Sequence, residues 1–378
     1  MKKRLLCLLL TALCITACGK TPISDVPAAD QPSPDAPPQT VQPAVDPAEE
    51  YVKTLTLNQQ IAQMFFSRCP DVDAAALAGQ YNIGGYILFG RDFEGQTPTS
   101  VRQTIDSYQS AVQTPMLIGV DEEGGTVVRV SSNPSFRAVK FWSPQALYKE
   151  GGLDLITSDT KEKDALLASL GINVNLAPVC DVSTDPKDFI NARSFGQDAA
   201  ATGEYVKTVV TQMQTDGMGS VLKHFPGYGN NIDTHTGIAI DERPLDRFYS
   251  ADFIPFQSGI DAGADAVLVC HNIVTAIDPK LPASLSHPVH EVLRDDLNFS
   301  GVVMTDDLIM DAITKYTDGA DAAVLAVKAG NDLLISSDFV TQYTAVKAAV
   351  DAGEISAERI AESAVRIVRW KMALGLIE

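Results

Sequence analysis

The chain is poor in histidine, tryptophan and cysteine, and it is short of positive charge. Five histidines, two tryptophans and six cysteines are spread over 378 residues, and Asp plus Glu outnumber Lys plus Arg by 48 to 29. A net charge of −19 repels a polyanion, which excludes nucleic acid as a partner. Cys7, Cys14 and Cys18 fall within the first eighteen residues, leaving Cys69, Cys180 and Cys270 for the rest. Three thiols cannot build a disulfide framework. Each lies near the end of an apolar run, where a buried free cysteine is the plain reading and at most one pair could bridge. The histidines and cysteines are too scattered for a metal cage, so no metal is expected. A glycine-rich phosphate loop after a strand, a Gly-x-Ser-x-Gly elbow and a His-Glu-x-x-His helix are also absent. Nucleotide, serine-esterase and zincin chemistry drop out with them, and no cofactor is expected.

At the N-terminus, Lys2, Lys3 and Arg4 precede the apolar run Leu5 to Ala17. That run is too short to span a bilayer but suits the core of a secretory signal. It ends in Ile15-Thr16-Ala17-Cys18, which resembles the bacterial lipobox, with Cys18 as the lipidated residue. Residues 19 to about 48 are rich in Pro, Ala, Asp, Gln and Thr, with no aromatic residue, and read as a disordered, extended tether. The expected organisation is a signal over 1–17, a lipidated N-terminus and linker over 18–50, and one folded domain over 51–378. The protein is expected outside the cytoplasm, held to the membrane only through its N-terminal lipid.

The folded part alternates buried apolar runs with helical patterns. Strands are predicted near Met64–Arg68, Gly84–Phe89, Met116–Asp121, Ile172–Val182, Gly219–Phe225, Ala266–His271, Gly301–Asp306 and Asp332–Ser336. Helices are predicted over Val101–Val112, Asp159–Leu170, Ala199–Asp216, Phe253–Ala262, Ala320–Ala329 and Ser356–Leu374, most of them closing at a glycine. Eight strands alternating with helices predict an α/β fold, a single (β/α)8 TIM-type barrel; an open doubly wound sheet or a two-lobed binding protein is the alternative. The polar residues favour the barrel. Asp121, Asp181, Lys223 with His224, His271 and Asp306 all stand at or just past the C-terminal ends of predicted strands, where barrel sites are assembled.

The densest chemistry is Lys223-His224-Phe225-Pro226-Gly227-Tyr228-Gly229-Asn230-Asn231-Ile232-Asp233-Thr234-His235. Its turn-forming residues predict an excursion carrying Asp233 and His235 over a substrate. Plainer readings exist for several neighbours. Asp307 before Leu308-Ile309-Met310 suits a helix cap, Gly124-Gly125 suits a simple turn, and Lys223 could merely pair with a carboxylate. A carboxylate rim with a loop histidine suits chemistry that needs one anionic nucleophile and one proton shuttle, and glycoside hydrolysis is the commonest such reaction.

Seven stretches resemble a family 3 glycoside hydrolase of the β-N-acetylglucosaminidase branch, over residues 54 to 378. They are Leu57 to Phe65, Gly84 to Arg91, Ile118 to Gly125, Asn191 to Gly196, Lys223 to Gly229, Asp233-Thr234-His235 and Thr305-Asp306-Asp307. The resemblance implies that Asp306 is the nucleophile and that His235, oriented by Asp233, is the general acid and base. It also implies that Asp121, Arg193, Lys223 and His224 grip the sugar and that Arg129 supports them. Tyr228 stands where many members have histidine, a departure that bears on leaving-group preference. The implied activity is a retaining, exo-acting hydrolysis of terminal β-linked N-acetylglucosamine, from peptidoglycan fragments or other N-acetylglucosamine-containing glycans, by a monomer. The alternatives are a family 3 β-glycosidase or phosphorylase of other specificity, or a non-catalytic lipoprotein that binds sugars or muropeptides.

Overall fold

Eight short strands pair in parallel around a barrel: β1 Phe65–Arg68, β2 Gly85–Leu88, β3 Leu117–Val120, β4 Val174–Asn175, β5 Gly219–Phe225, β6 Ala266–Val269, β7 Val302–Thr305 and β8 Leu334–Ser336. The order is that of the sequence, and β8 pairs back onto β1 in the register Phe65 to Leu334. A bridge between Met304 and Leu333 closes the remaining gap from β7 to β8. The protein is therefore a (β/α)8 barrel. This is a computed structural model, and it describes residues 45–378 apart from 234–236, 315 and 318. The expected signal, Cys18, most of the tether and His235 lie outside the described residues. None of the described helices is long and apolar enough to cross a membrane.

The strands are apolar because both faces are covered, the barrel interior on one side and the helical ring on the other. Gly119, in the middle of β3, shows how tight the interior is: a Cβ there would lie 2.4 Å from the Phe66 ring. The expected strand Ile172–Val182 is shorter than its apolar run. Pro178 has no N–H to give the ladder, so β4 pairs only over Val174–Asn175 and meets β5 again through a single bridge, Val179 to Lys223. The expected helix Asp159–Leu170 begins earlier, as part of Pro144–Ser169, capped by the Ser143 hydroxyl. Gly151 and Gly152 break its helical geometry and hid its first turns from the periodicity. Helix Ala199–Asp216 has the expected bounds, closing at left-handed Gly217.

The C-terminal helix, Ala357–Ala373, lies across the N-terminal end of the barrel. Its Trp370 ring packs where a Cβ on Gly219, the first residue of β5, would lie 3.0 Å away. Ahead of β8, Asp332 accepts from Ser363 at 2.7 Å and Arg366 at 3.0 Å on that helix, and from Arg294 at 2.6 Å. Helix Pro47–Lys53 then covers it from outside, burying Ala48 and Val52 against Ala364 and Val368. This contact draws four residues ahead of the expected boundary at 51 into the fold.

Lys371 on the same helix is fully buried and donates to Gln63 Oε1 at 2.6 Å. Burial of its ammonium pushes its pKa down to about 7. The folded chain then binds fewer protons than the unfolded chain between about 7 and 10.5, so this group makes stability rise with pH across that window. Thermal unfolding at pH 7 and pH 10 should show that rise in the wild type and a smaller one in Lys371→Met. Equal slopes would contradict it.

Candidate active site

Strand ends deliver the site. Asp121 directly follows β3, Asp306 directly follows β7 and Ser337 directly follows β8, while Lys223 and His224 are still within β5. All face one cavity of about 660 Å³ at the C-terminal end of the barrel, together with Arg129, Arg193 and Asp233. Every expected sugar-binding residue, and two of the three expected catalytic ones, thus line a single pocket. The third, His235, lies outside the described residues.

Lys223 is the hub. Its side chain is 2% exposed, and Nζ lies 2.7 Å from Asp121 Oδ1 and 2.7 Å from Glu123 Oε1. Arg193 donates to both Glu123 oxygens, at 2.7 and 3.0 Å, in a bidentate pair. The same Arg193 Nη2 lies 3.0 Å from His224 Nε2. A guanidinium can only donate, so Nε2 accepts and the ring proton sits on Nδ1, which faces Asp181 Oδ2 at 2.7 Å. Asp181 also accepts from the amides of His224 at 3.1 Å and Tyr228 at 2.7 Å. One continuous chain of charge and hydrogen bonds therefore runs from Asp121 through Lys223, Glu123, Arg193 and His224 to Asp181.

The electrostatics follow from that chain. Burial alone would push the Glu123 carboxyl up, but the Lys223 ammonium and the Arg193 guanidinium outweigh it and hold it far below the usual range. Burial would likewise lower Lys223, yet Asp121 and Glu123 raise it above the ordinary value. Each therefore favours the charged form of the other. Arg129 completes this side, with Nη2 3.6 Å from Asp121 Oδ2 and its guanidinium 5.8 Å from the Phe89 ring centroid.

The two adjacent aspartates differ in their engagement. Asp307 is spent on structure: Oδ1 accepts from the Ser337 and Ile309 amides at 3.2 Å each, and Oδ2 accepts from the Ser337 hydroxyl. Its burial raises its pKa despite those bonds. Its carbonyl lies 3.1 Å from His271 Nε2, while His271 Nδ1 pairs with Ser284 at 2.7 Å, so His271 buttresses the loop after β7. Asp306 is fixed by its backbone instead, its amide donating to Val269 O at 3.1 Å, and its Oδ1 accepts from the Asp307 amide at 2.8 Å. A carboxylate aimed from a strand tip is geometrically suited to attack.

Sequence reasoning missed two residues. Glu123 links Lys223 to Arg193, which lie 100 and 70 residues further along the chain, so no local pattern could mark it. Glu122 is buried and accepts from the amides of Arg129 and Val130 at 2.8 Å each, and from Ser131, pinning the loop that carries Arg129. Among the described residues, no group of three or more His, Cys, Asp or Glu side chains could hold a metal ion. Cys69, Cys180 and Cys270 are buried and unbridged.

Comparison with known proteins followed the same lines. The family described as "Glycosyl hydrolase family 3 N terminal domain" matches residues 56–370. A "Beta-hexosaminidase" of Xanthomonas campestris is 34% identical over 233 residues, covering 61% of this chain and 70% of that protein. A solved glycoside hydrolase family 3 β-N-acetylglucosaminidase from a Paenibacillus species superposes with a TM-score of 0.80 at 32% identity, covering 85% of this chain. The chain spans 63% of that structure's length. A β-N-acetylhexosaminidase from Beutenbergia cavernae superposes with a TM-score of 0.75 at 27% identity, covering 84% of this chain and 99% of that one.

The charge chain yields a direct expectation. Glu123→Gln removes the shared anion from buried Lys223 and partly buried Arg193, and breaking such a buried pair costs on the order of 3 kcal/mol. Urea unfolding at pH 7 should show a loss of that size, and hydrolytic activity should fall with it. A stability within about 0.5 kcal/mol of wild type, the usual range for surface changes, would contradict the role given to Glu123.

Proposed function

The chain belongs to glycosyl hydrolase family 3, and from that premise we propose that it is a retaining, exo-acting β-N-acetylglucosaminidase whose nucleophile is Asp306. The observation that carries the reading is the meeting of Asp306 and Asp233 in one pocket with the hydroxyl-gripping set Asp121, Arg193, Lys223 and His224. The relatives named above supply the choice of N-acetylglucosamine over other sugars.

The chemistry runs in two displacements. Asp306 attacks the anomeric carbon while His235, steered by Asp233, protonates the departing oxygen; a glycosyl ester forms on Asp306 as the leaving group is released. His235 then takes a proton from water, which opens the ester and returns the sugar with its original configuration. Lys223, Asp121 and Arg193 hold the ring hydroxyls in fixed geometry. The ion pairs of Lys223 with Asp121 and Glu123 and of Arg193 with Glu123 allow that without a mobile charge near the reacting carbon, and positioning of this kind lowers the barrier by pre-organisation.

The site reading is joined to an extracytoplasmic one. Lys2, Lys3, Arg4 and the run ending at Cys18 support export and lipidation, and the tether rich in proline would hold the barrel off the membrane. Soluble peptidoglycan fragments bearing terminal N-acetylglucosamine are the substrate class that fits that location.

A chromogenic N-acetyl-β-glucosaminide tests the activity. Wild type should release the chromophore, while Asp306→Ala should lose several orders of magnitude in kcat/KM, since the side chain that forms the ester is removed. Asp307→Asn should fall less, because its carboxylate is engaged by Ser337. A larger loss at Asp307 than at Asp306 would overturn the assignment.

A further inference from the structure

Arg243 lies outside the residues assigned above, just beyond the segment that leaves β5 and carries Asp233. Its Nε lies 3.0 Å from each Asp241 oxygen, and Nη2 donates to Asp241 Oδ2 at 2.8 Å and to the Gly227 carbonyl at 3.0 Å. Nη1 donates to both oxygens of Asp252, at 2.8 and 3.0 Å. The guanidinium also stacks on the Phe248 ring, 4.4 Å from its centroid. Asp241 and Asp252 are both buried.

These partners are the two ends of one segment. Gly227 is where the chain departs after β5, and Asp241 is where it returns, in the short parallel pair of Ile240–Asp241 with Ile273–Val274. Between them Asn231 donates to Asp241 Oδ2 at 2.7 Å and to Tyr228 O at 2.9 Å. The fit is close: Gly229 has φ +56°, and a Cβ there would lie 2.4 Å from the Arg243 guanidinium carbon. Departure, return and the following helical turn at Asp252 therefore converge on one side chain. Asp233, between departure and return, lines the pocket that holds Asp306.

We propose that Arg243 is a positioning residue for proton transfer, tying both ends of the segment that carries Asp233 and so holding Asp233 at the pocket. This rests on the glycosidase reading above. The nucleophile is anchored elsewhere: the Asp306 amide donates to Val269 O of β6, whereas the Arg243 guanidinium is engaged by Gly227, Asp241, Asp252 and Phe248. Loss of the tie thus weakens protonation of the leaving group and leaves nucleophilic attack largely in place. The planar fork is also needed: lysine has one charged centre and cannot serve Gly227, Asp241 and Asp252 together.

The test compares kcat/KM for a dinitrophenyl and an alkyl N-acetyl-β-glucosaminide, since an activated leaving group needs little protonation to depart. Arg243→Met should lower the alkyl substrate about 100-fold, mainly in kcat, and the dinitrophenyl substrate less than about 5-fold, the size of effect expected from misplacement near 1 Å. Arg243→Lys should lie between that variant and wild type. An equal fall on both substrates, as a purely structural role requires, overturns the proposal. Should Arg243→Met not fold, Asp252→Asn, which keeps the ties to Gly227 and Asp241 but loosens the third, should shift the ratio in the same direction; an unchanged ratio also overturns it. His235→Ala on the same substrate pair separates the two levels. A ratio unchanged there sinks the acid assignment and this proposal with it, whereas a shifted ratio there with none at Arg243 sinks this proposal alone.

Discussion

The buried ammonium of Lys223 constrains the rest of the site. Taking an ion of that kind out of water costs several kcal/mol even after relaxation, and only close partners with good geometry offset it. Asp121 and Glu123 supply that compensation at 2.7 Å each. Glu123 is itself buried and then needs a second cation, which Arg193 provides with two bonds. Arg193 in turn decides which nitrogen of His224 carries the proton, and Asp181 accepts the hydrogen bond from that Nδ1–H. A single buried charge thus fixes residues from the loop after β3, β5 and the loop after β4 relative to one another, before any sugar arrives. Such a network suits a site that must recognise hydroxyl groups, because its donors and acceptors are held at fixed positions.

The barrel divides its labour between its two ends. At the N-terminal end, polar groups serve closure: Asp332 collects Arg294, Arg366 and Ser363, and the C-terminal helix is sealed against the strand starts. At the C-terminal end, comparable ion pairs line an open cavity. The same chemistry closes the fold at one end and lines the cavity at the other. Asp306 and Asp307 both line the pocket but differ at adjacent positions, since Ser337 engages the second carboxylate while the first accepts from the Asp307 amide.

Much of this was legible in the sequence. Gly219–Phe225 stood out as a strand because Gly217 and Pro226 bracket an apolar run that ends in charged residues, and its bounds are those of β5. Strand-end carboxylates at Asp121 and Asp306 were readable for the same reason: an apolar run that stops at an acid marks a rim. Pro178 ends the pairing of β4 sooner than its apolar run suggests, and Gly151-Gly152 mask the start of helix Pro144–Ser169. Glu123 and Arg243 were invisible because their roles are defined by partners brought together only by folding. Their neighbours in sequence, a pair of glycines and a proline, suggest nothing beyond a turn.

The central claim is that Asp306 forms a covalent bond to the sugar during a retaining reaction. Incubation with a fluorinated N-acetylglucosaminyl fluoride that forms the ester quickly and releases it slowly, followed by peptide mass analysis, tests it most directly. The account predicts the added mass of one sugar on the peptide containing Thr305-Asp306-Asp307, located on Asp306. The label on Asp307, or no adduct together with a first-formed product of inverted configuration, would contradict it.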